Sequence, residues 1–400
     1  MGLFGFGGRS SDAQYGALFD VGSGSVGVAI VRSDHTKPQP EVIYAERIST
    51  RATLMADRDE IVRGMREALF TASLNLAKTG IHELRSKDSR GTISKLLVTG
   101  SAPWSYTISK NILSTHDTEV KVTKALLDDL VENAETEMTD DLEEDTISNA
   151  LGLTIVERAT IDVRINGYSV REPVGLRGKN ISLSHITGLL QKEVLDALDE
   201  VEEKIFPNTS LSAHSFMLVN YCVLRDAFSE VDNVTIIDVT TEATEIGVVQ
   251  DGVLNYSTHA RHGLNTLLRS IVATTNTARE DALSLLRGYV ENTITDKERT
   301  RIEHYITQYA HEIAKTLKKI QQKEPVQTTL AITAPFESLA FYRTILPAIV
   351  SDATGIEVSL LPFDILGKGG IDHIPAQDIY LAIIARFFHK LHGCGELNSA

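Results

Sequence analysis

The chain has 400 residues, 42% hydrophobic and 23% charged, a length and balance that suit a soluble protein of two lobes and exclude a disordered one. A formal charge of −15 excludes the basic surface that nucleic acid demands. With two cysteines, Cys222 and Cys394, neither a disulfide framework nor a cysteine metal cluster is available, and a cytosolic setting is expected.

Residues 1–13 read as a flexible start. Leu3-Phe4-Gly-Phe6 offers only weak, reversible membrane contact, no basic segment leads into a secretory apolar run, and Phe6 stands where myristoylation wants Ser or Thr. Strands are predicted at 15–20 and 26–31 around the turn Val21-Gly-Ser-Gly-Ser25, and a third at 40–48. Ile61, Met65, Leu69, Ala72 and Leu76 carry a helical period over 57–79, and strand 95–100 stops at Gly100. That order is an α/β lobe, assigned to 14–116.

Residues 117–206 read as an inserted unit, with a helix over 123–134, strands at 154–166, 168–171 and 180–185, and a helix over 187–206 capped by Ser184. Residues 117–205 hold 21 acidic and 9 basic residues, a net of −12, and 128–145 has no basic residue. Such a stretch is a solvated helix face with a loop, or a docking surface for a basic segment. From 207 to 392 the α/β pattern restarts. A helix over 212–229 precedes strands at 234–238, 245–249 and 253–257, which repeat the logic of the first hairpins and predict a duplicated topology. Helices follow at 263–290 and 296–322, then a strand at 328–332 and a final helix at 379–391 that is apolar on more than one face. Residues 393–400 read as a flexible end.

Gly22-Ser-Gly24-Ser-Val-Gly27 fits the dinucleotide pattern G-x-G-x-x-G, but a β-branched strand follows it instead of the helix that pyrophosphate binding needs. A strand ending in Asp before a Gly/Ser turn has another use: backbone amides cradle phosphates while the carboxylate positions hydrated magnesium. Asp20-Val-Gly22-Ser23-Gly24-Ser25 resembles the first phosphate loop of the actin-like ATPase superfamily. Asp238-Val-Thr240-Thr241-Glu-Ala-Thr244 resembles its second, and Ala331-Ile-Thr333-Ala-Pro-Phe336 stands where the adenosine loop belongs. Within the superfamily, the order is similar to the cell-division protein FtsA and the pilus protein PilM, which carry an inserted SHS2 subdomain in the slot of 117–206. Pro173-Val-Gly175 resembles the strand-connecting turn of the FtsA insert, and Arg261-His-Gly263 the turn after its second phosphate hairpin.

The resemblance implies a two-lobed actin-like α/β fold with an SHS2-like insert, spanning about 14–392. It implies ATP and magnesium at Asp20, Gly22, Ser23, Gly24, Ser25, Asp238, Thr240, Thr241, Thr244 and Thr333, with Asp20 and Asp238 reaching the metal through water. Thr240, Thr241 and Glu242 replace the glycines of the second loop, and Ala334 and Pro335 those of the third. Nucleotide binding is therefore expected to be weak or lost, Glu242 repelling a terminal phosphate, and any ATPase slow. The implied role is an FtsA-like division scaffold, recruited from the cytoplasm to the inner face of the membrane. It would dock on the cytoplasmic tail of a membrane protein, with possible self-association into filaments. The acidic insert adds the expectation that this tail is basic. PilM-like service to a pilus platform is the alternative, and a small-molecule kinase of the same superfamily the second. A kinase needs a further catalytic carboxylate, which the sequence does not offer. His259 and His262 lack a ligand spacing, Ser338 lacks the glycines of a nucleophile elbow, and Cys222 reads as core packing.

Overall fold

The strands β1 (Gln14–Val21) and β2 (Ser25–Ser33) are buried on both faces, which is why each reads as a near-continuous apolar run. The computed structural model of the chain describes residues 13–144, 152–362 and 378–392; the termini expected to be flexible, with Leu3, Phe4, Phe6 and Cys394, lie outside the described residues. β1 and β2 pair antiparallel, β3 (Glu41–Ser49) adds to β2, and β4 (Lys95–Gly100) runs parallel to β1. Between β3 and β4, α1 (Arg58–Asn75) is capped by Asp57, which accepts the Glu60 amide, and buries Met65, Leu69 and Ala72 on the sheet. The helix expected over 57–79 is not continuous, because a π-turn at Leu76–Gly80 intervenes before α2 (Ile81–Lys87).

The chain then leaves this sheet. β5 (Ser105–Lys121), β6 (Leu153–Ile165), β7 (Tyr168–Ser169) and β8 (Arg177–Gln191) form a separate antiparallel sheet in the order β5-β8-β6-β7. α3 (Lys124–Glu144) lies on one face of it, with Leu126, Leu130 and Val131 packed on Ile112, Ile165, Ile181 and Leu183. Asp128, Asp129 and Glu132 are on its exposed side, so this part of the acidic stretch is a solvated helix face.

Three expectations are corrected here. The inserted sheet draws on 105–191, so 105–116 opens it and does not close the first lobe. Ser184 caps no helix: the buried run Ile186–Gln191 stays in the ladder as the end of β8, and the helix is α4 (Lys192–Ile205), whose Val194, Leu198 and Val201 pack on the first lobe. The helix expected over 212–229 is strand β9 (Ser210–Ser215), parallel to β4, followed by α5 (Phe216–Ala227).

The five-strand plan then repeats. β10 (Val234–Val239), β11 (Thr244–Gln250) and β12 (Val253–Ala260) form an antiparallel meander, β13 (Thr329–Thr333) is parallel to β10, and β14 (Ser359–Leu360) is parallel to β13. The orders β3-β2-β1-β4-β9 and β12-β11-β10-β13-β14 are the same, as the duplication predicts. α6 (Leu264–Thr275), α7 (Arg279–Glu291) and α8 (Asp296–Gln321) cover the second sheet; the helix expected over 263–290 is split where Asn276, at φ 51°, ends α6 in a left-handed cap. α9 (Phe336–Thr354) joins β13 to β14, and α10 (Ile379–His392) returns to the first lobe. Leu381, Ile384 and Phe388 of α10 join Leu18, Phe216 and Ile236 in a core shared by both lobes, which accounts for its apolar character on more than one face. No helix among the described residues is long and apolar enough to cross a membrane.

Candidate functional site where the two hairpin loops meet

Each hairpin carries a buried aspartate one residue before its first strand ends, Asp20 in β1 and Asp238 in β10. The two-residue alternation sends Val21 and Val239 into the separate lobe cores and turns both carboxyls toward the junction of the lobes, the side of Leu18 and Ile236.

Asp20 faces a cation that the sequence reading missed. Arg47 of β3 stands opposite Gly27 of β2, and the close approach needs glycine: a Cβ there would sit 2.6 Å from Arg47 Nη2. Nη2 donates to Asp20 Oδ2 at 2.7 Å, and Nη1 to Ser25 Oγ at 3.0 Å. Nε and Nη2 also donate to the two oxygens of Asp378, at 2.6 and 2.9 Å. Asp378 in turn accepts the Leu381 amide at 3.1 Å in the first turn of α10. Burial opposes the Arg47 charge, but Asp378 and Asp20 more than offset it and raise the proton affinity of the guanidinium. Burial raises Asp20, and Arg47 draws it part of the way back.

Among the described residues, no cation bonds Asp238. Its Oδ1 accepts Thr333 Oγ1 at 2.6 Å and the Tyr380 hydroxyl at 3.0 Å. Burial, reinforced by Asp20, outweighs these bonds and pushes Asp238 up to about 7. Glu245, its cross-strand partner, is pushed up to about 8 by burial and by Asp238. Asp238 Oδ2 and Glu245 Oε2 are both buried without a hydrogen-bond partner.

The loops themselves touch. A Cβ on Gly24 would lie 2.1 Å from Thr241 Oγ1, and the Glu242 amide donates to Ser23 Oγ at 3.2 Å. Thr240 Oγ1 donates to the Ala102 carbonyl of the first lobe at 2.7 Å. The amides of Leu264 and Asn265, at the N-terminus of α6, are spent on the carbonyls of Thr240 and Thr241. Glu242 does not confront the first loop as a bare charge. Asn265 Nδ2 and Arg269 Nη2 hold its carboxylate at 2.6 and 2.8 Å, and Arg269 also reaches the Leu54 carbonyl of the first lobe at 3.1 Å.

The structure therefore gathers Asp20, Gly22, Ser23, Gly24 and Ser25 against Thr240 and Thr241, with Asp238 and Thr333 bonded beside them. Thr244 points away, bonding the His262 carbonyl at 2.6 Å near Tyr309. These residues do not fit a magnesium nucleotide as they stand. Asp20 is engaged by an internal cation, the α6 amides are consumed by carbonyls, and side chains of the second loop fill the approach to Gly24. Arg47, Asp378, Tyr380, Asn265 and Arg269 escaped the sequence reading. The local signals were Gly27 inside a strand and Asp378 three residues before Leu381 at a helix start.

Other candidates resolve simply. Cys222 is part-buried against the shared core, its thiol pushed up to about 11 by burial. Ser338 bonds the Pro335 carbonyl in the first turn of α9. His259 stacks edge-on with Tyr106, and no metal-binding cluster occurs among the described residues.

No protein-family model and no curated protein matches the sequence. Among solved structures, the chain is similar to the PilM–PilN type IV pilus biogenesis complex, with 12% identity and a TM-score of 0.56 over 96% of this chain and 99% of that one. It also matches the ethanolamine utilization protein EutJ of Carboxydothermus hydrogenoformans (9% identity, TM-score 0.42, 92% of this chain and 89% of that one). A third match is a Bacteroides thetaiotaomicron protein with an actin-like ATPase fold and unknown function (9%, 0.46, 96% and 99%). With the duplicated sheets, the first similarity establishes the fold: the chain is a two-lobed actin-like α/β protein.

Proposed function

We propose that the chain is a scaffold of the PilM type, one that holds a partner chain and does not turn over ATP. The observation that carries this reading is the Arg47 guanidinium set between Asp20 and Asp378. A cation built into the chain occupies the carboxylate that the resembling proteins use for hydrated magnesium, and the touching loops leave a terminal phosphate no cradle. The near-complete overlap with the solved PilM–PilN complex favours pilus assembly over the division role that the sequence resemblance put first. In this reading the inserted sheet and α3 stand where those proteins carry the SHS2 subdomain. The partner is the short basic tail of a membrane protein, drawn by the exposed acids of α3 to the inner face of the membrane.

Titration with fluorescent ATP and magnesium tests the central claim. The expected result is no saturable binding up to millimolar nucleotide. Micromolar binding with turnover would reverse it and return the kinase reading, for which a coupled assay of ATP consumption with small metabolites is the follow-up.

A further inference from the structure

Two residues at the start of α10 reach the two loop aspartates, one in each lobe. Asp378, directly before the helix, accepts the Leu381 amide at 3.1 Å as a cap, and accepts Arg47 Nε and Nη2 of the first lobe at 2.6 and 2.9 Å. Tyr380 turns to the second lobe. Its hydroxyl donates to Asp238 Oδ1 at 3.0 Å and lies 3.4 Å from the Val239 carbonyl. Residues two apart at a helix start point in different directions, so a single turn serves partners that do not face each other. The Arg47 guanidinium carbon also lies 5.6 Å from the Tyr380 ring centroid, which ties the two halves of the contact together.

The result is a continuous path from sheet to sheet. It runs from Asp20 of β1 through Arg47 to Asp378, along the chain to Tyr380, and through Asp238 to Thr333 of β13. Asp378 and Tyr380 are both buried. Further ties join the lobes at the loops, each a single hydrogen bond: the Glu242 amide to Ser23, Thr240 to the Ala102 carbonyl, and Arg269 to the Leu54 carbonyl. Beside them the lobes share the apolar core around Leu18, Phe216, Ile236 and Leu381. Apolar packing is non-directional and sets no angle by itself, whereas hydrogen bonds of defined length and direction do. Two bodies that rest on a common core can move as a hinge, and a contact closes that hinge when it engages both of them.

We propose that the first turn of α10 is a clasp that holds the two lobes at a fixed angle with no ligand between them. α10 packs along β1 and β2 and so travels with the first lobe, while the Tyr380 hydroxyl grips the second. Both ends of the clasp belong to one chain, so closing it carries no cost of association. The proposal goes beyond the scaffold reading, which says nothing of lobe motion, and it requires neither a partner tail nor a pilus.

Distances between spin labels on the full chain test it, in a background of Cys222→Ala and Cys394→Ala. Arg63→Cys on α1 with Lys318→Cys on α8 spans the lobes, and Ser284→Cys on α7 with Lys318→Cys reports within the second lobe; all three positions are exposed. Without nucleotide, the labelled parent is expected to give one narrow distribution for each pair. Asp378→Asn with Tyr380→Phe should shift and broaden the spanning pair and leave the second pair narrow. Tyr380→Phe alone removes a hydroxyl and keeps the ring, and should give a smaller shift of the same sign, so the test does not hang on the double variant folding. A broad spanning distribution in the parent overturns the proposal. An unchanged distribution in both variants overturns it too, and leaves the shared core to set the angle. Equal broadening of both pairs also overturns it, since that is general loosening. None of these results bears on the nucleotide titration.

Discussion

Arg47 and Asp378 are separated by 331 residues, yet the guanidinium and the carboxylate meet through two hydrogen bonds of 2.6 and 2.9 Å, with Asp20 as the third member of the cluster. Arg47→Ala leaves two carboxylates buried without their cation, and a loss of about 3–5 kcal/mol is expected in urea unfolding. Arg47→Lys keeps the charge but not the two-point geometry, so it should recover only part of the loss. A neutral effect of Arg47→Ala would remove the internal cation from the account of the site.

Gly24 and Thr241 give a paired test of loop contact. Gly24→Ala places a methyl 2.1 Å from Thr241 Oγ1 and should cost about 1–3 kcal/mol. Thr241→Ala removes the obstructing hydroxyl and methyl, so the double variant should be markedly more stable than the sum of the singles predicts. Additive losses would mean that the loops do not touch in solution.

Asp238 and Glu245 set a pH dependence with a definite sign. Burial raises them to about 7 and about 8, whereas an unfolded chain releases these protons near pH 4. The folded state therefore holds more protons in between. The stability they contribute is full below about pH 4, falls as pH rises through 7 and 8, and levels off above. Glu245→Gln stays neutral throughout, and should exceed the parent by roughly 2–4 kcal/mol at pH 9 while matching it near pH 4. Urea titrations at pH 4, 7 and 9 check this; an offset independent of pH would exclude ionisation as its cause.

Glu157 of β6 anchors the insert to the first lobe. Its carboxylate accepts the Ser215 amide at 2.7 Å, at the start of α5, and contacts His214 Nδ1 at 2.6 Å. Glu157→Ala leaves that amide without its acceptor, and a loss of about 1–3 kcal/mol is expected. Protease digestion should show the β5–β8 unit released earlier than in the parent.

The repeated meanders were legible in the sequence because each states its strands in short apolar runs and its turn in Asp, Gly, Ser or Thr. Asp20 and Asp238 followed from the same local grammar. β5 was not legible, since most of its 17 residues are half-exposed and polar, and only pairing with β8 makes them a strand. α9 carries prolines at both ends of what would be its signal: Pro335 precedes the first turn and Pro347 is carried inside the helix, a residue type that ordinarily interrupts a helical pattern. Arg47 was beyond reach for another reason. Its role depends on a partner brought near by α10, and no window of neighbouring residues contains that information.

The placement of α10 also governs the order in which a growing polypeptide can finish its lobes. The strands β10 to β14 lie within 234–360 and complete one sheet from a single stretch. The sheet that starts at Gln14 must wait for β9 after 210, and for Leu381, Ile384 and Phe388 to cover its shared face. A nascent chain emerging from the ribosome as far as 362 can therefore pair the strands of both sheets while the core they share still lacks the cover of α10. In this molecule some of the earliest residues made are covered by some of the last.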